Sequence, residues 1–304
     1  MWPPPFFYDA RVDEYDEFAF FDENRTEWGL EPHPVHVRRA YVAVEGLRQV
    51  SALVWGETSP ELVLMHGSGQ NAHTFDTLAL ALQRPLVAID LPHHGHSDGS
   101  FYGPRAVVEH ADDVARALDE LVTPPRPVVA MSYGGLVAIA MTHARPELVS
   151  HLVLLDITPG VRRDAARAVL DFLDGPDSFD SFEGLVERTV AFNPGRSESS
   201  LRRGVAHNAV QRPDGRWVWR HQRHAAPTRE PRRDVDLWTW LEQIRVPVTL
   251  VRALGPSSVV DDDDVDEFRR RRPLDDVVAV PGASHSIQGS HPLELAAILR
   301  SRLA

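Results

Sequence analysis

Short apolar runs alternate with stretches of helical period from residue 35 to 158, and the pattern resumes from 244 to the end. Runs at 35–44 and 47–55 meet at Glu45-Gly46 as a hairpin. Further runs at 62–65, 85–89, 127–131, 152–155, 247–251 and 276–280 have the length of strands buried on both faces. Residues 106–122 carry apolar side chains at 107, 108, 111, 114, 115, 118, 121 and 122, the spacing of an amphipathic helix. Residues 75–82, 135–144, 262–270 and 292–303 read as helices too. Such alternation requires an α/β fold, a mostly parallel sheet with helices on both faces. Residues 159–243 interrupt it with helical and loop-like sequence and no strand alternation. Residues 1–32, aromatic, acidic and proline-containing, read as an extension laid over the surface. The expected organisation is therefore an extension (1–32), a core (33–158 and 244–304) and a helical cap (159–243) inserted at the edge where such sheets bind ligands.

Composition removes several chemistries. There is no cysteine, hence no thiolate nucleophile, disulfide or cysteine-bound metal. There is no lysine either: all 32 basic residues are arginine, which excludes a lysine base or Schiff base. A net charge of −12 argues against nucleic acid or an anionic membrane as partner. Met1-Trp2-Pro3-Pro4-Pro5 lacks the basic and apolar regions of a secretory signal, and no apolar run approaches the roughly 20 residues of a membrane span. A soluble, cytoplasmic protein is expected.

Residues 128–135 read V-V-A-M-S-Y-G-G: an apolar run reaches Ser132, then turns away through Gly134 and Gly135 into a helix. The stretch resembles the nucleophile elbow of the α/β-hydrolase superfamily, with Ala130 in place of the first glycine of G-x-S-x-G. Three other stretches extend the resemblance over 33–158 and 244–304. The third strand ends L-V-L-M-H-G-S-G, a His-Gly turn at His66-Gly67 that implies an oxyanion hole from the N–H groups of Ser68 and Tyr133. The fourth ends A-I-D-L-P-H-H-G-H-S-D, similar to the family's D-L-P-G-H-G-x-S with His93 replacing a glycine; Asp90 and His94 read as structural. His93, His94 and His96 share one turn without a matching carboxylate, so no metal and no cofactor is expected. The eighth strand leads through V-V-A-V-P-G-A-S-H-S to His285, where the family carries its catalytic histidine.

The acid has two candidate locations. Most of the family takes it from the turn after the seventh strand, V-T-L-V-R-A-L-G-P-S-S-V-V-D-D-D-D, where the alignment places Ser258. Asp261 to Asp264 follow, in the acidic first turn of a helix. The sixth strand ends L-V-L-L-D-I-T-P-G, similar to a serine-esterase and lactonase-like branch that draws its acid from that strand; this implies Asp156. The resemblance thus implies Ser132, Asp156 and His285 as a catalytic triad hydrolysing a carboxylic ester or lactone. Two other readings stay open: a C–C bond hydrolase of a β-diketone-like acid, and a non-hydrolytic lyase or small-molecule receptor. The C–C hydrolases share H-G-S-G but continue with proline-glycine, where this chain has Gln70-Asn71.

Ten arginines lie between 196 and 233, at 196, 202, 203, 212, 216, 220, 223, 229, 232 and 233. They either recognise an anionic substrate or pair with protein carboxylates, including those of the acidic extension. Trp217, Trp219, Trp238 and Trp240 either face a pocket or pack in a core. The sequence does not specify an oligomeric state.

Overall fold

The computed structural model describes residues 15–303 apart from 163, 223, 224, 233 and 234. Residues 1–14 of the expected extension, with Arg223 and Arg233, lie outside the described residues. Before the insertion come α1 (Phe21–Trp28), β1 (Val37–Ala43), β2 (Gln49–Trp55), β3 (Val63–Met65), α2 (Asp76–Leu82), β4 (Leu86–Ile89), α3 (Val107–Leu121), β5 (Arg126–Met131), α4 (Tyr133–Ala144) and β6 (Val149–Leu155). The insertion carries α5 (Arg167–Leu173), α6 (Phe182–Phe192), α7 (Glu198–Asn208), β7 (Ala209–Gln211), β8 (Trp217–Trp219) and α8 (Leu237–Gln243). The chain ends with β9 (Val248–Ala253), α9 (Asp262–Arg271), β10 (Asp276–Val280), α10 (Ile287–Ser290) and α11 (Pro292–Arg302).

Eight strands form one sheet in the order β1-β2-β4-β3-β5-β6-β9-β10. The hairpin strand β2 is antiparallel to both β1 and β4, and every other neighbouring pair is parallel. Both faces are covered, which explains why the central strands read as unbroken apolar runs. Alternate residues of β5 and β6 go to opposite faces. Val128, Ala130, Leu152 and Leu154 pack toward α3, α4, α8 and α9, whereas Val129, Met131, Val153 and Leu155 pack toward α1, α2 and α11. Strand β6 begins at Val149, before the apolar run at 152, because Ser150 and His151 extend it with polar side chains. His151 is held by Thr249 Oγ1 of β9 at 2.9 Å.

The insertion is not free of strands, as the sequence reading had it: β7 and β8 form an antiparallel hairpin. Three residues per strand are too few for alternation to register in the sequence. The insertion has its own small core of Leu185, Val186, Val205 and Ala209, against which Trp217 and Trp219 pack. Its last helix, α8, instead buries Leu241 in the main core and lays Trp240 flat on His143 of α4, 4.7 Å between ring centres. All four tryptophans pack in cores.

The described part of the extension does more than cover the surface. Phe21 of α1 is buried against Trp55, 5.0 Å between rings. Glu23 and Glu27 both accept from Arg203 of α7, whose side chain is 7% exposed. Arg203→Met should therefore destabilise the protein by about 1.5–3 kcal/mol, the range for hydrogen bonds to charged groups. Denaturant unfolding measures it, and unchanged stability would show the pairing to be inert.

Candidate active site

Strand β5 ends one residue short of Ser132, which stands at φ 51° and ψ −124° before α4 begins. An L-residue reaches that left-handed region only at a cost, and a β-branched or bulky one at more. Serine is small enough, and the kink lifts its side chain off the strand line at the carboxyl edge of the sheet. Crowding shows how tightly the elbow is built. A Cβ on Gly134 would fall 2.4 Å from the backbone oxygen of His66, so that helix and third strand meet only if this residue is glycine. A Cβ on Gly67 would stand 2.5 Å from Met131 Sδ and 3.0 Å from Ser132 Cβ, which places the His66-Gly67 turn directly against the serine. Ala130 is fully buried and pairs with Met65, so the methyl that replaces the family's first glycine is absorbed within the sheet.

His66 holds that turn in place. Its Nε2 accepts from the N–H of Leu91 at 3.0 Å, which puts the ring proton on Nδ1, donating to the carbonyl of Gly67 at 2.8 Å. Burial lowers its pKa and keeps the ring neutral, as this pair of bonds requires. Ser68 follows at the tip, and Tyr133 opens α4 across from it. The Tyr133 hydroxyl bonds His110 Nδ1 at 2.9 Å, and burial raises its pKa. Gln70 had no assigned role in the sequence. It ties this turn to the last loop: its Oε1 accepts from Gly67 N at 3.2 Å and its Nε2 donates to Ser286 Oγ at 3.1 Å. The only sign of it in the sequence is that Gln70-Asn71 stands where the C–C hydrolases have proline-glycine.

The structure brings Asp156 and His285 together, with His285 Nδ1 2.9 Å from Asp156 Oδ2. Asp156 is fully buried at the end of β6 with φ 48°, a conformation aspartate tolerates better than most residues. Its Oδ1 accepts from Ala253 N at 3.0 Å and from Ser258 Oγ at 2.8 Å, and its Oδ2 accepts from Val259 N at 3.0 Å. A buried carboxylate is stable only when so satisfied. Ser258, the residue at the family's usual acid position, thus serves the aspartate that stands on the neighbouring strand. Asp261, Asp262 and Asp264 are occupied elsewhere. Asp261 and Asp264 form the reciprocal capping box of α9, Asp264 also accepts from Thr158 Oγ1 at 2.8 Å, and Asp262 pairs with Arg252 at 2.6 Å.

Asp90 and His94 hold loops. Asp90 accepts from Ala72 N at 2.7 Å, His96 N at 3.0 Å and Arg39 Nη1 at 2.8 Å. Burial would raise its pKa, but Arg39 and these amides outweigh that and hold it down. His94 Nδ1 bonds the carbonyl of Pro92 at 3.0 Å, and burial drives its pKa well down. His93 takes φ 68°, the conformation for which the family uses glycine, and its Nε2 accepts from Ser100 N at 2.8 Å. Burial lowers the pKa of His93 and of His96 to about 4. Five of the eight described arginines between 196 and 232 pair with protein carboxylates: Arg202 with Glu183, Arg203 with Glu23 and Glu27, Arg216 with Asp180, Arg229 with Glu45, and Arg232 with Glu109 and Asp112.

A sheet of this order, a strained serine between strand and helix, and a histidine–aspartate pair delivered by later loops are found together in one large group of proteins. The family model described as the alpha/beta hydrolase family matches residues 62–298. This chain belongs to the alpha/beta hydrolase family. Among its relatives, esterase Rv0045c of Mycobacterium tuberculosis is 35% identical over 305 residues, covering 97% of this chain and 98% of the esterase. Lipase LipV of the same organism is 30% identical over 255 residues, covering 82% of this chain and 95% of the lipase. A solved structure of Rv0045c, described together with that esterase's inhibition by transition metals, matches with a TM-score of 0.82, covering 95% of this chain and 99% of the other. These relatives place this alpha/beta hydrolase in an esterase-like branch. Among its described residues no helix is long and apolar enough to cross a membrane.

Proposed function

We propose that this hydrolase cleaves a carboxylic ester or lactone through an acyl-enzyme on Ser132, with His285 as general base and Asp156 as the triad acid. One observation carries the reading: His285 presents Nδ1 to a buried, fully hydrogen-bonded carboxylate, Asp156, at 2.9 Å. With its proton held there, Nε2 is left to take the serine proton and return it to the leaving group. The N–H groups of Ser68 and Tyr133 would receive the oxyanion, since Gly67 seats the first beside the elbow and the second opens α4. Residues 159–243 would act as a cap that chooses the acyl or alcohol group. Five of the eight described arginines between 196 and 232 pair with protein carboxylates, which weakens the case for an acidic C–C hydrolase substrate. The proposed partner is a small-molecule ester or lactone in the cytoplasm.

A fluorophosphonate probe should label one residue, Ser132 by peptide mass spectrometry, and p-nitrophenyl esters of increasing chain length should be turned over at rates that depend on that length. Neither labelling nor turnover is expected of a receptor, and their joint absence would reject the hydrolytic reading.

A further inference from the structure

Three side chains from distant parts of the chain converge in a second buried cluster. His73 lies in the 3-10 turn (Ala72–Phe75) leading into α2, Asp76 opens α2, and His207 lies near the end of α7. His73 Nδ1 is 2.9 Å from Asp76 Oδ2, His207 Nε2 is 3.8 Å from the same oxygen, and all three potential ligand atoms fall within 4.8 Å of one another. All three residues are buried, and Asp76 Oδ1 has no hydrogen-bond partner among the described residues. A buried carboxylate oxygen left without a donor is costly, and a cation held by both Asp76 oxygens would relieve it.

The far sides of both rings are already engaged. His73 Nε2 lies 3.1 Å from Glu17 Oε2, and His207 Nδ1 lies 2.6 Å from the hydroxyl of Tyr15. With protons on those outer nitrogens, the lone pairs of His73 Nδ1 and His207 Nε2 are left on the side of Asp76. Metal-binding histidines are oriented in this way, each donating its other N–H to an oxygen behind it. We propose that His73, Asp76 and His207 form a site for one divalent transition-metal cation, of the kind that imidazole and carboxylate ligands suit: zinc, copper or nickel.

The dimensions fit such an ion. Ligand atoms 2.0–2.2 Å from a tetrahedral metal stand roughly 3.3–3.5 Å apart, and the separations of 2.9 and 3.8 Å from the Asp76 oxygen bracket that value. The two rings are stacked, 3.8 Å between centres and 7° from parallel, so they must fan apart on their Glu17 and Tyr15 contacts to close on the ion. Charge around the cluster comes from Asp76 and Glu17, opposed by Arg39, whose Nη2 is 3.3 Å from His73 Nε2 and whose guanidinium also bonds Glu17 and Asp90. A proton competes for the same place. Burial alone would lower the pKa of His73, but Asp76 and the bonds to Asp76 and Glu17 raise it to about 9, and a metal would displace that proton. The ion would fasten the insertion's α7 to α2 and to the Tyr15–Glu17 segment. It would do so beside the turn next to Ser68, where Asn71 Nδ2 donates to the carbonyl of His207 at 2.9 Å and the Asn208 amide donates to that of Gly69.

Chelator-treated full-length protein is titrated with Co²⁺ under visible spectroscopy and with Zn²⁺ by calorimetry. The wild type should bind one equivalent with the strong absorption of low-coordinate Co²⁺ and gain thermal stability with either ion. His207→Gln should lose that equivalent, and Glu17→Gln should bind about 10–100-fold more weakly, as outer-shell changes do. Exposed histidines such as His36 remain in both variants and bind adventitiously to the same extent. Equal stoichiometry and spectrum in wild type and His207→Gln would overturn the site. Should His207→Gln fail to fold by circular dichroism, an unchanged affinity in Glu17→Gln overturns it instead.

Discussion

Ser132→Ala is expected to lower kcat for ester hydrolysis by on the order of 10⁶ while leaving the fold intact, the loss that follows removal of the nucleophile in triad enzymes, if Ser132 carries the proposed acyl group. The variant should also cease to react with a fluorophosphonate. Alanine fits the site: it is smaller than serine, and the strained φ of 51° is imposed by β5, α4 and the crowding at Gly134 rather than by the hydroxyl. Thermal unfolding should therefore shift little. What remains after the substitution measures the contribution of oxyanion hole and binding alone, typically 10³–10⁴ over water. Wild-type turnover in the alanine variant would mean that the elbow is only a helix start.

The second large effect is expected at Asp156. Asparagine there removes the charge that favours the Nδ1–H tautomer of His285 and should reduce kcat/KM by about 10⁴, by analogy with other triads. It also meets a packing difficulty. Oδ1 faces the N–H of Ala253 and the hydroxyl of Ser258, while Oδ2 faces the N–H of Val259 and His285. In either orientation the asparagine NH₂ opposes a backbone donor, so stability should fall as well as activity. Circular dichroism and kcat/KM measured on the folded fraction separate the two. Asp261→Asn and Asp262→Asn make the comparison, each costing about 0.3–1 kcal/mol at the start of α9 with near-normal catalysis. A mild effect at Asp156 with a severe one at Asp261 or Asp262 would move the acid to the turn after β9.

The sheet was legible because both its faces are buried, which writes each central strand as a short apolar run. Boundaries slipped where polar residues joined a strand, as Ser150 and His151 do at the start of β6. The β7–β8 hairpin was invisible because three-residue strands carry no period. At the candidate site, Ser132, Asp156 and His285 each stand at the end of a strand or in the loop after one, where order along the chain predicts position at the sheet edge. Gln70 could not be read in this way, since its partners Gly67 and Ser286 meet only across the sheet edge. The histidine question shows the same limit. The sequence draws the eye to His93, His94 and His96 in one turn, each of which serves a local bond. His73 and His207, more than a hundred residues apart, are brought together only by the packing of α7 on the start of α2.

The hydrogen bond from Ser258 to Asp156 joins two strand ends at one place. Two adjacent strand ends reach one point behind the histidine, one supplying the carboxylate and the other a hydroxyl that steadies it. The oxygen behind the histidine is thus a place that both strand ends can reach, and Ser258 holds the second approach with a neutral donor.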